Sequence, residues 1–144
     1  MNFQYPVSIT RDADDYVVTV RDLPEVQTSG DTETEALDLA ADALEVVVAK
    51  RMENEEDLPL PSPAREDEIE VFLPPQLAAK AAVYIAWKQA GISKSELARR
   101  MGRSEVEARR ILAPRHGTKL DQLDEAAKAL AASQAALEAR SREL

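Results

Sequence analysis

Residues 93–112 read SKSELARRMGRSEVEARRIL. Ser93 stands three residues before Glu96, and Ser104 three before Glu107. Each pair has the spacing of a capping box, in which a hydroxyl and a carboxylate satisfy orphan amides at a helix start. Met101-Gly102-Arg103 interrupts the two helical segments, and Gly102 suits a turn position with φ > 0. Leu97 and Met101 are expected to point between the helices. Ala98 is small where the second helix must cross closely, and Ala108 and Ile111 hold that helix down. The pattern predicts a helix-turn-helix. In such a motif the second helix enters the major groove N-terminus first. Glu105, Val106, Arg109 and Arg110 are its exposed positions. Arginine can contact guanine bidentately, glutamate can accept from cytosine N4, and Val106 suits a thymine methyl. Lys94, Ser95, Arg99, Arg103, Arg115 and Lys119 fall where phosphate contacts position without specifying. The bland alternative is a helical hairpin that touches no DNA, with Arg99 and Arg100 paired to Glu96 or Glu105.

On the N-terminal side, Pro74-Pro75 opens a further helix, where a missing N–H costs little. Leu77, Ala81, Tyr84, Ile85 and Lys88 fall at helical spacing, and Gly91 supplies the stop. On the C-terminal side, helix is expected from Thr118 onward. Leu120, Leu123, Ala127, Leu130, Gln134, Leu137, Ser141 and Leu144 form a 3–4 spaced seam. It reads either as a fourth core helix ending near Ala131 or as a face that packs on a second copy. His116 reads as a loop residue rather than a base, since no nucleophile has an identifiable partnership with it.

The first half has a different texture. Tyr5, Val7 and Ile9 alternate with polar neighbours, as do Tyr16, Val18 and Val20, which predicts two half-buried strands. Asp12 to Asp15 makes the turn between them. Val26 to Thr28 reads as a short third strand and Ser29-Gly30-Asp31 as a turn. Thr32 to Glu35 has capping-box spacing. Leu37, Ala40, Ala41, Leu44, Val47 and Val48 then line one helix face, and Ile69 to Leu73 reads as a last strand. Between helix and strand, residues 53–68 hold three of the eight prolines and no hydrophobic period. That stretch is expected to be an extended, solvated connector. The order β-β-β-α-β followed by helices predicts an α+β fold, divided into 1–73 and 74–144.

Charge divides the same way. The net charge of the 144 residues is −9, which taken whole argues against nucleic acid. Residues 1–73 carry 5 basic and 19 acidic side chains, while residues 74–144 carry 13 basic and 8 acidic ones. A module of −14 therefore masks one of +5, and each sign suits a different partner. With no cysteine and one histidine, disulfides, thiolate metal sites and Cys or His catalysis are not expected. Neither an enzyme nor a cofactor is expected. Asp12, Asp14 and Asp15 read as turn residues, although clustered carboxylates can hold a metal in a nuclease. No apolar run approaches a membrane span, and Met1 begins no secretory signal, so a cytoplasmic protein is expected.

Two runs carry a family resemblance. In D-x-x-x-Y-x-V-x-x-x-D-L-P, the motif positions are Asp12, Tyr16, Val18, Asp22, Leu23 and Pro24. In T-x-G-D-T-x-x-E-A-L, they are Thr28, Gly30, Asp31, Thr32, Glu35, Ala36 and Leu37. With the following helix and PLPSPA, residues 3–73 resemble the N-terminal domain of HicB antitoxins. That domain is a partial ribonuclease H-like fold without ribonuclease activity. Asp15 stands where a glycine is common and Arg21 where a proline is common. Residues 93–112 resemble Cro-like repressor domains, with Arg103 and Ala108 in place of larger aliphatics. Residues 111–131, ILAPRHGTKLDQLDEAAKALA, resemble the C-terminal module of the HicB subgroup that carries a helix-turn-helix. The resemblance implies an antitoxin whose acidic domain neutralises a HicA-like mRNA-cleaving toxin. Its basic domain would repress its own operon by binding operator DNA as a homodimer or tetramer. From charge alone, Asp31, Glu33 and Glu35 are expected at the toxin. The alternative is a stand-alone repressor whose N-terminal domain senses a ligand or oligomerises.

Overall fold

The computed structural model describes residues 3–143, with side chains described through Ala132 and at Ala139. The chain divides into two compact units, Met1–Ala78 and Ala79–Leu144. The fold is α+β: an antiparallel sheet with one helix, followed by helices.

In the first unit, β1 (Gln4–Asp12) and β2 (Asp15–Thr19) pair antiparallel through the two-residue turn Ala13-Asp14. Ala13 takes a left-handed conformation, φ 55°. Tyr5, Val7, Val18 and Val20 are buried, as period-two alternation requires, while Ile9 and Tyr16 near the hairpin tip are only half-buried. The third strand departs from expectation. β3 is Gln27–Gly30, so Ser29 and Gly30 belong to the strand and not to a turn. Gly30 pairs with Tyr16 on β2. A Cβ on Gly30 would meet the Ala36 amide nitrogen at 2.9 Å, so glycine is required for close approach rather than for a special φ.

The chain then enters α1 (Glu33–Glu53), capped by Thr32, whose hydroxyl accepts from the Glu35 amide at 3.1 Å. The Glu35 carboxylate answers by accepting from the Asp31 amide at 3.1 Å, one residue before the cap itself. The buried stripe is Ala36, Ala40, Leu44, Val48 and Met52, joined by Ala49. It is rotated from the predicted one: Leu37, Ala41 and Val47 lie at its half-buried margin. β4 (Ile69–Phe72) pairs antiparallel with β1, giving the sheet order β3-β2-β1-β4.

Residues 54–68 are extended but anchored. Leu58 is buried. The Tyr5 hydroxyl donates to the Pro59 carbonyl at 2.8 Å, and the Asp22 carboxylate accepts from the Ser62 amide and hydroxyl at 2.8 and 2.7 Å. Burial pushes the Tyr5 phenol well above its usual range, with the Asp22 charge acting in the same direction. Arg21 makes a two-pronged ion pair with Glu68 at 2.8 and 2.9 Å and donates to the Pro63 carbonyl at 2.7 Å. Arg51 pairs with Glu25 and donates to the Asp57 carbonyl at 2.9 Å.

The second unit contains most of α2 (Pro75–Ala90), then α3 (Lys94–Met101), α4 (Glu105–Leu112) and α5 (Leu120–Glu143). On α2 the buried residues are Ala78, Lys80, Ala81, Val83, Tyr84, Ile85 and Trp87. Leu77 is half-buried and Lys88 exposed. α5 runs without interruption to Glu143 rather than ending near Ala131. Leu123, Ala126 and Leu130 form its buried line. Leu120, 74% exposed, and Ala127, also exposed, stand off it, because the helix turns its Ala126 side to the core. The seam side chains of Gln134, Leu137, Ser141 and Leu144 lie outside the described residues.

Candidate functional site

α3 and α4 are short, and both ends of α3 are finished by its own sequence. The Ser93 hydroxyl accepts from the Glu96 amide at 3.0 Å. Gly102 closes the helix in a left-handed conformation, φ 67°, and the Arg103 amide reaches back to the Ala98 carbonyl. Ser104 caps α4 in the same way, accepting from the Glu107 amide at 3.2 Å. Leu97, Ala98, Ala108 and Ile111 are buried, whereas Met101 is half-buried.

The residues expected to read bases lie together on α4. Val106 is 55% exposed, and Arg109 and Arg110 stand one turn further along on the same side. Glu105 and Arg109 are joined by an i,i+4 ion pair at 2.6 Å. The expected phosphate contacts are more varied. Ser95 is exposed in the first turn of α3, and Arg115 and Lys119 are exposed between α4 and α5, as is His116. Lys94 places its ammonium 5.8 Å above the Trp87 ring. Arg99 and Arg100 both grip Glu96, which draws that carboxyl down to about 2. Arg103 pairs with Glu125 at 2.9 Å and with Glu107 at 2.7 Å, so its guanidinium ties α4 to α5.

One buried cation was absent from the sequence-based expectation. Lys80 on α2 is fully buried. Its three N–H groups are shared among four oxygens within hydrogen-bond distance: the carbonyls of Arg110, Ile111 and Ala113 at 2.9, 3.0 and 2.8 Å, and Thr118 Oγ1 at 2.8 Å. Burial pushes its ammonium down to about 8. The available signal was a lysine on the apolar stripe, three residues after Leu77 and four before Tyr84.

In the sheet unit, Asp31, Glu33 and Glu35 cluster around the start of α1 and are exposed. The solvent face of the helix continues with Asp38 and Asp42 around two exposed aliphatics, Leu39 at 43% and Val46 at 57%. Among the described residues, no group of three or more His, Asp or Glu side chains is arranged to hold a metal ion, the Asp12–Asp15 turn included. No helix among them is long and apolar enough to cross a membrane.

Residues 4–82, more than half of the chain, match the family model described as a HicB_like antitoxin of bacterial toxin-antitoxin systems. Antitoxin HicB of Escherichia coli (strain K12) is 38% identical over 128 residues, covering 88% of this chain and 93% of that protein. Antitoxin HicB 1 of Photorhabdus laumondii is 37% identical over 130 residues, covering 90% and 83%. Antitoxin HicB of Pseudomonas fluorescens is 28% identical over 129 residues, covering 89% and 88%. These similarities define the class as bacterial antitoxin. Within that class, the chain belongs to the HicB-like family.

Proposed function

We propose that this antitoxin neutralises a HicA-like mRNA-cleaving toxin through its acidic N-terminal unit. We further propose that its second unit, a helix-turn-helix built on α3 and α4, binds operator DNA and represses its own operon. The observation that carries the DNA-binding reading is the exposed row Val106, Arg109 and Arg110 on a serine-capped helix. Two turns of helix fit the major groove, and this row offers one methyl contact and two bidentate donors. Arg115, Lys119 and Ser95 then serve the phosphates. Arg99 and Arg109 reach phosphate or base by exchanging a surface carboxylate for a nucleic-acid acceptor, which costs little.

The toxin-binding reading rests on charge. A ribonuclease must present cations to hold RNA phosphates. The α1 surface running from Asp31, Glu33 and Glu35 through Asp38 and Asp42 is complementary to such a partner, and Leu39 and Val46 supply apolar anchors within it. Binding there would oppose RNA access by occupying the toxin's cationic surface. The test is co-expression with any small basic reading frame found adjacent to this gene. Co-purification and rescue of growth are expected. Failure to bind or inhibit that neighbour, with DNA binding intact, would leave a stand-alone repressor. A gel shift on the DNA upstream of the gene tests the second half, with binding expected to be dimeric or tetrameric.

A further inference from the structure

We infer that Lys80 is a positioning residue that sets the pose of α4 from the end opposite its exposed first turn. This inference rests on the DNA-binding reading above and deepens it. α3 and α4 are both eight residues long, yet they end differently. α3 carries its own terminator, since left-handed Gly102 turns local amides back onto its last carbonyls. α4 has no such residue. Its cap, Ala113, is extended at φ −78° and ψ 122°, and the Ala113 amide returns only to Arg110. Helix ends leave carbonyls without intrahelical donors. Here the Lys80 ammonium, about thirty residues away in sequence, supplies the donor that the Ile111 carbonyl lacks and adds a second to the carbonyls of Arg110 and Ala113, whose backbone bonds from Ala113 and His116 are long at 3.3 and 3.4 Å. Thr118 Oγ1 completes the shell from the loop before α5. A cation at a helix C-terminus also meets the negative end of the helix dipole.

The consequence for reading is geometric. Arg110 carries an exposed guanidinium while its own carbonyl is held by Lys80, and Arg109 precedes it. A bidentate contact tolerates little displacement. Fixing the backbone at 110–113 therefore fixes where both guanidinia emerge. Lys80 is fully buried, so it contributes nothing to phosphates directly. Base discrimination and salt dependence should consequently separate when the clamp is removed.

The experiment uses the full chain and two duplexes, the DNA upstream of its own gene and a scrambled sequence of equal length. Lys80→Met keeps the length of the side chain and removes the donors. The ratio of upstream to scrambled affinity is expected to fall roughly tenfold or more, about the loss of one base-reading contact. The slope of log affinity against log salt is expected to stay unchanged. Should Lys80→Met fail to fold by circular dichroism, Thr118→Val and Thr118→Ser carry the test. Valine should lower the ratio and serine preserve it. A folded Lys80→Met with an unaltered ratio, or Thr118→Val and Thr118→Ser that behave alike, would overturn the inference. A wild-type protein that does not distinguish the two duplexes would instead overturn the DNA-binding reading itself.

Discussion

Arginine serves opposite purposes in the two units. In the sheet unit, Arg21 and Arg51 each grip a carboxylate far away in sequence, and each also holds a carbonyl of the 54–68 segment. They fasten an irregular strap that has few apolar residues to fasten itself. In the helical unit, Arg99, Arg100 and Arg109 pair within a turn of their own helices and stay at the surface. Such pairs contribute little to stability and are easily exchanged for another anion. Arg103 differs from these three, bridging α4 to α5 through Glu107 and Glu125. Arginine count therefore says less about function than the sequence distance to each partner.

The comparison ranks expected effects. The largest belongs to the apolar core, where Leu44→Ala at a fully buried site should cost about 2–5 kcal/mol by denaturant titration. A loss well below 1 kcal/mol would mean that the arginine-held strap outweighs the α1 core. Glycine sharpens the contrast next. Gly30→Ala should cost about 1–3 kcal/mol, because the new Cβ meets backbone. Gly102→Ala meets no atom within 4 Å and suffers only the left-handed φ, a cost nearer 1 kcal/mol. Gly102→Asn should restore most of that loss, whereas Gly30→Asn should restore none. The arginines follow. Arg109→Ala should leave the thermal midpoint nearly unchanged while reducing base discrimination by about 1–3 kcal/mol. Arg21→Ala should lower the midpoint and expose residues 57–68 to protease, with DNA affinity unaltered. Equal midpoints for the two variants would break the distinction.

The smallest effect is a pH dependence. The Arg21 guanidinium, aided by the Arg65 amide, draws the Glu68 carboxyl down to about 2. A folded value below the unfolded one stabilises the fold above about 4.5. That contribution is lost as pH falls from about 4.5 toward 2. Glu68→Gln should remove this part of the acid dependence, measured as thermal midpoint against pH.

The elements set by local chemistry were legible from the residues. Ser93, Ser104 and Thr32 cap the helices that their spacing announced, and Gly102 adopts the left-handed turn. What depended on distant partners was not. Helical spacing alone places Leu37, Ala40, Ala41, Leu44, Val47 and Val48 on one α1 face, yet close approach to the sheet selects Ala36, opposite Gly30, and leaves Leu37 at the margin. Gly30 itself looked like a turn residue because a glycine needed for space and one needed for φ look alike in sequence. The 53–68 stretch lacked periodicity, but its anchors at Asp22, Arg21 and Tyr5 lie about 40 to 54 residues away in the chain. At the candidate site, the exposed row on α4 was readable from helical spacing. The clamp beneath it required knowing which carbonyls α4 leaves open.

Trp87 is the single tryptophan of the chain. It lies on α2, buried, beside Tyr84 and beneath Lys94. The molecule thus contains its own unlabelled optical reporter, confined to the helical unit. Unfolding followed by tryptophan emission and by far-ultraviolet circular dichroism should coincide only if both units melt together. The cation over the indole ring belongs to the first turn of α3. The same emission will therefore register movement at the entrance to the helix pair, even when the sheet unit is undisturbed.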